Sequence, residues 1–131
     1  MNVSGYHHVS LSVRDLEASV SWYADLMGLH KMMEETHDGG RAIVLVQPEA
    51  GLFLGLHAHD RGDTQRFDET RTGLDHVAIG VADRGELEAW ERVLTDKGVV
   101  HSAIADRPWG SVLTFRDPDN IQLEFCSPPA H

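Results

Sequence analysis

One cysteine, Cys126, is all the thiol chemistry the chain has, so no disulfide framework can be built. At 131 residues none is needed, because a chain of this size buries about two thirds of its unfolded surface. Long apolar runs are also missing. The longest, such as Ile43–Val46, are a handful of residues where a membrane helix needs about 20, so a membrane-spanning protein is excluded. Near Met1 there is no basic stretch followed by an apolar run, so no secretory signal is expected and the reading is cytoplasmic. Basic residues are scarce: 11 Lys and Arg against 21 Asp and Glu give a formal charge of −10, which would repel a phosphate polyanion and argues against nucleic acid as a partner. The length leaves no room for a second full domain and points to a single domain over residues 1–131. What the chain has in abundance is histidine, nine of them: His7, His8, His30, His37, His57, His59, His76, His101 and His131. Histidine is both the commonest metal ligand and a usual general base, but most of nine must be bystanders, and only position separates them.

Alternation from His8 to Val13, apolar at Val9, Leu11 and Val13 and polar between, predicts a half-buried strand. Asp15 then precedes Leu16, Val20, Tyr23, Leu26 and Met27 at helical spacing, with Gly28 placed to stop the helix. Met32–Thr36 and Arg41–Val46 flank His37-Asp38-Gly39-Gly40 as a hairpin, and Leu52–His57 makes a fourth strand. After a charged stretch, the pattern restarts. His76–Val81 repeats His8–Val13 with apolar residues on the same alternate positions, and Leu87, Trp90, Val93 and Leu94 mark a second helix ended by Gly98. Val99–Ile104 and Ser111–Phe115 are read as the next strands, Asp117-Pro118-Asp119-Asn120 as a turn, and Ile121–Cys126 as the last strand. The expectation is an α+β fold of two tandem βαβββ modules, residues 6–58 and 73–127, joined by a linker over 59–72.

If the apolar strand faces pack under the helices, the opposite faces carry His8, His76 and Glu124. Two imidazoles at equivalent places of a repeat and a carboxylate inside an apolar strand are a two-histidine, one-carboxylate set. Such a set holds a divalent metal while leaving coordination positions open. A solvent-facing acid would explain Glu124 alone; the coincidence of the three argues for metal.

On these residues the chain resembles the vicinal oxygen chelate superfamily, which includes glyoxalase I, type I extradiol dioxygenases, fosfomycin-resistance thiol transferases and bleomycin-resistance proteins. The carriers are His7–Leu16, Trp22-Tyr23 with Leu26–Leu29, Gly73–Ile79 and Phe115–Glu124. The resemblance implies a glyoxalase-like fold, its modules forming a cup-shaped, eight-stranded incomplete barrel. It assigns the metal ligands to His8 rather than His7, to His76 and to Glu124. The metal would be Fe2+, Zn2+, Ni2+, Co2+ or Mn2+. The family often has a fourth ligand in the last strand of the first module, but the residue equivalent to Glu124 there is Gly55, which cannot ligate. That leaves the three-ligand type and counts against the glyoxalase I pattern.

His57, one pleat further on, is a candidate base or substrate-facing residue, and with Glu124 forms the expected catalytic pair. Cys126 is read as an inert thiol. Arg41, Trp109, Arg107, Tyr23 and His101 are candidate pocket walls, with packing the preferred role for Trp109. The implied activity is Lewis-acid chemistry on a small substrate offering two neighbouring oxygens, by dioxygenase, lyase or isomerase, or transferase chemistry. The implied assembly is a homodimer with sites shared between chains. The alternative is a metal-free drug-binding protein of the bleomycin-resistance type.

Overall fold

The computed structural model describes residues 1–62 and 64–129; Asp63, inside the expected linker, and Ala130 and His131 at the end lie outside the described residues. The chain divides into two compact units, residues 1–65 and 66–131.

In the first unit, β1 (Val9–Ser12) leads to α1 (Leu16–Met27), then β2 (His30–His37), β3 (Gly40–Gln47), a short 3-10 turn (Pro48–Ala50) and β4 (Leu52–His59). The helix begins where Asp15 accepts a hydrogen bond from the Ala18 amide, satisfying one of the donors a first turn leaves free. It ends where Gly28 adopts φ 65, left-handed backbone that glycine tolerates without strain. The sheet order is β1-β4-β3-β2, with β1 parallel to β4 and the other pairs antiparallel. Leu16, Tyr23, Leu26 and Met27 of the helix are buried, as are Leu11, Ile43, Leu45, Leu54 and Leu56 of the sheet, which forms one layer of core. The other sheet face carries Ser10, Ala42, Gly55 and His57.

The second unit repeats this plan: β5 (Val77–Gly80), α2 (Arg84–Asp96), β6 (Ala105–Arg107), β7 (Gly110–Arg116) and β8 (Gln122–Ser127), ordered β5-β8-β7-β6. Asp83 caps α2 through the Glu86 amide. Trp90 stacks on Phe125 with ring centres 4.5 Å apart, and Phe115 meets the same ring at 4.8 Å, so three aromatic rings form the centre of this unit's core. Leu87, Leu94, Leu113 and Leu123 close around it. The Asp117–Asn120 turn is held by the Asp117 carboxylate, which accepts from the amides of Asp119 and Ile121 at 2.8 Å each.

Two expectations need correction. Val99–Ile104 is not a strand: only an isolated bridge, His101 to Phe115, forms there, and β6 is the three residues Ala105–Arg107. Side chains take over the backbone's partners in this stretch. The Ser102 hydroxyl accepts from the Thr114 amide, and the His101 ring is held between Thr95 Oγ1 and the Ser102 carbonyl, each at 2.7 Å. The charged stretch before His76 is also more than an exposed connection. The Phe67 amide donates to the Asp119 carbonyl, and Glu69 accepts two bonds from the Arg116 guanidinium at 2.9 and 3.0 Å, fastening this part onto the second unit's turn.

Candidate metal centre and cleft

The parallel pairing of first and last strands puts repeat-equivalent residues in equivalent surroundings. In the second unit Ala78 stands beside Glu124; in the first, Ser10 stands beside Gly55. A methyl group built on Gly55 would run into the Ser10 hydroxyl. The first unit has therefore filled with a hydroxyl the space that the second gives to a carboxylate, and Ala78 is what leaves that space open.

Glu124 sits on β8, its side chain only 14% exposed, with Oε1 3.4 Å from Nε2 of His76. His76 immediately precedes β5, and its Nδ1 donates to Asp75 at 2.7 Å. That bond fixes the tautomer and leaves the Nε2 lone pair free, as carboxylates do behind metal-bound histidines. Two ligands at zinc-like bond lengths on one tetrahedral ion stand roughly 3.3 Å apart, so the His76–Glu124 pair fits a divalent metal. Thr114, opposite Glu124 on β7, offers its hydroxyl to Oε2 at 3.5 Å. Cys126, two residues on, has its thiol pushed up by burial and by the Glu124 charge, which keeps it a thiol.

His76 and Glu124 open into a cleft of about 420 Å³ whose other walls include Arg107, Trp109, Val112 and Thr114. Trp109 is 61% exposed, so the packing role expected for it is not what it plays: its indole forms a wall of the cleft. Tyr23 is fully buried in the first unit's core, which removes it as a wall residue. Arg41 is held by Glu34 and Glu17, and His101 by Thr95 and Ser102.

His8 belongs to the first unit, at the repeat position of His76, with Nδ1 2.8 Å from Nδ1 of His7. His57 lies on β4, its Nδ1 3.4 Å from Nε2 of His37. Burial, then the neighbouring His37 and His59, push its pKa down, favouring the neutral ring. The roles of Asp75 and Thr114 escaped the sequence reading. Asp75 could have been found as a carboxylate adjoining a candidate ligand, and Thr114 only through the β7–β8 register.

The fold is that of two tandem βαβββ modules, each a four-stranded sheet with one helix. Residues 5–125 match the Glyoxalase/Bleomycin resistance protein/Dioxygenase superfamily, and the chain belongs to it. It is 31% identical to a lactoylglutathione lyase of Neisseria meningitidis over 90% of this chain and 86% of that enzyme. It is 30% identical, over 94% of its length, to the Bacillus subtilis protein named "Putative ring-cleaving dioxygenase MhqA", of which it spans only 39%. Among solved structures it resembles a glyoxylase/bleomycin resistance protein/dioxygenase domain from Frankia sp. EAN1pec, with a TM-score of 0.89 and 38% identity over 97% of this chain and 93% of that one.

Proposed function

We propose that the protein is a divalent-metal-dependent enzyme acting on a small molecule that presents two neighbouring oxygens, with His76 and Glu124 as ligands. The observation that carries this is the 3.4 Å pairing of His76 Nε2 with Glu124 Oε1 in the lining of the cleft. A metal bound there would act as a Lewis acid, stabilising negative charge that develops on substrate oxygens. The chain's own contributions are concrete. Asp75 holds the His76 ring in its ligating tautomer. Thr114 orients the Glu124 carboxylate through the oxygen not turned to His76. Trp109 offers a flat apolar wall and Arg107 a fixed positive charge, which suit a planar substrate with an anionic edge.

His8, the repeat counterpart of His76, is the proposed third ligand, supplied by a first module of a second copy. Glu124 and His57 are the carboxylate and imidazole proposed to handle protons. Gly55 supplies no fourth ligand, which supports three-ligand chemistry of the ring-cleaving or thiol-transfer kind ahead of the lyase kind. The test is turnover by metal-reconstituted protein on three classes of substrate that follow from the resemblance: catechols with dioxygen, thioesters of glutathione with a 2-hydroxy acid, and a small electrophile with a thiol. Activity on one class, lost on chelation and in Glu124→Gln, is the expected result. Activity equal in Glu124→Gln and wild type would refute the reading. Light scattering checks the assembly: a dimer is expected, and a monomer that retains metal would remove His8 of a second copy from the site.

A further inference from the structure

Three of the nine histidines gather in the first unit; one of them, His57, is the imidazole proposed above to handle protons, a role it fills only while its lone pair is not given to a cation. Register sets their arrangement. Glu35, Ala42 and His57 stand in one row across β2, β3 and β4, and His37, Gly40 and His59 stand in the next, all on the face turned from the helix. The middle strand contributes only alanine and glycine to these rows, so the imidazoles of the outer two strands reach across it. Gly40 is needed for this: a methyl group there would lie 2.8 Å from Cε1 of His37. The ring of His37 lies over the glycine, its centre 5.4 Å from that of His57 and 5.5 Å from that of His59; the latter two are 6.0 Å apart.

We propose that His37, His57 and His59 form a second binding site, for zinc or another borderline divalent transition metal, in the first unit. Three imidazoles on one tetrahedral ion place their ring centres roughly 5 Å apart and their ligating nitrogens roughly 3.3 Å apart. His57 Nδ1 and His37 Nε2 stand at 3.4 Å, already the spacing of two ligands of one ion. Two ring nitrogens facing each other cannot both be acceptors unless a proton or a cation lies between them. Burial and the two neighbouring rings favour the neutral, ligating form of His57. No group of three such side chains among the described residues yet converges as a complete set, so closure requires the His59 ring, stacked beside His57, to turn toward the other two. His59 is exposed and free to do so. Glu35, whose charge acts on His57, stands on the same face and balances the cation. The nitrogen-only donor set selects zinc, nickel, cobalt or copper over magnesium and calcium.

The experiment is zinc titration by calorimetry on the full chain, in a His76→Ala, Glu124→Ala background that removes the other pair. The background is expected to take up about one zinc per chain, with a dissociation constant of roughly micromolar or tighter. His37→Gln and His59→Gln, each added to it, are expected to weaken that uptake by roughly tenfold or more. Circular dichroism checks the fold of each variant; should His37→Gln fail to fold, the exposed His59→Gln decides. No uptake by the background, or uptake that either folded variant leaves unchanged, would overturn the proposal. Either result is independent of whether His76 and Glu124 bind metal.

Discussion

Two strand glycines on the same face should respond unequally to the same substitution. At Gly40 the added methyl of Gly40→Ala falls well inside contact distance of the Ala58 carbonyl oxygen, which is backbone. Ala58 is paired with Arg41 in the central ladder, and Gly40 is itself paired with both His37 and His59. Relief therefore needs two strands to part by roughly 1 Å, far along the repulsive wall of the contact. Overpacking of this kind costs about 1–3 kcal/mol, and each ladder hydrogen bond weakened adds about 0.5–1.5 kcal/mol. Replacing a strand glycine returns only about 0.5–1 kcal/mol. The expected loss for Gly40→Ala is about 2 kcal/mol or more.

At Gly55 the obstacle is the Ser10 hydroxyl, the tip of a side chain that one χ1 rotation removes. Gly55→Ala is therefore expected to lie within about 1 kcal/mol of neutral, and to become more favourable when Ser10→Ala removes the hydroxyl, although the Cβ of residue 10, at 3.3 Å, keeps the gain below that of an unobstructed glycine replacement, about 0.5–1 kcal/mol. Urea unfolding followed by far-ultraviolet circular dichroism, with unchanged denaturant slopes, gives these differences. Equal losses at both glycines, or a Ser10→Ala background that makes Gly55→Ala worse, would refute the reasoning.

Three carboxylates tie stability to acid. Glu34, held by Lys31 and Arg41, and Glu69, held by Arg116, fall from 4.5 to about 2, and Asp106, held by Arg84 and Ser111, falls from 3.8 to about 2. A depressed folded-state pKa contributes stability that is present above the unfolded value and lost as pH falls through the folded one. Thermal midpoints should drop between about pH 4.5 and 2, and Glu69→Gln should flatten part of that drop; a midpoint indifferent to pH across this window would contradict the pairing. Trp109→Ala should change stability by no more than about 0.5 kcal/mol, because the indole is mostly exposed, yet weaken binding of whatever the cleft holds. Urea midpoints and ligand titration separate the two effects, and a large stability loss would return Trp109 to a packing role.

Much of the fold was legible because two signals agreed. Alternation gave the strand faces and the repeat gave the modules, so that Leu11, Leu54 and Leu123 are buried while Ser10 and Glu124 face the other way. The caps of the first helix, Asp15 and Gly28, could be read directly because each residue satisfies a local backbone need. Val99–Ile104 misled because β-branched residues suit a strand only when the backbone is free to pair, and here Ser102 and His101 spend their side chains on it. The His76–Glu124 pairing rests on parity and could be anticipated. The gathering of His37, His57 and His59 depends on the turn at Asp38-Gly39 setting His37 opposite Gly40, a register that composition does not disclose. Trp109 was misjudged for a similar reason: whether a loop indole packs inward or walls a cleft is decided by the short hairpin that carries it.

The most direct test of the account is metal analysis of untagged protein in which His37→Gln and His59→Gln have removed the histidine cluster, with Glu124→Ala and His76→Ala added in turn beside it, after one-for-one titration with zinc or manganese. The account predicts bound metal at this pair, lost in both variants with folding retained. Full metal retention in both variants, or no uptake by the protein that keeps the pair, would contradict it.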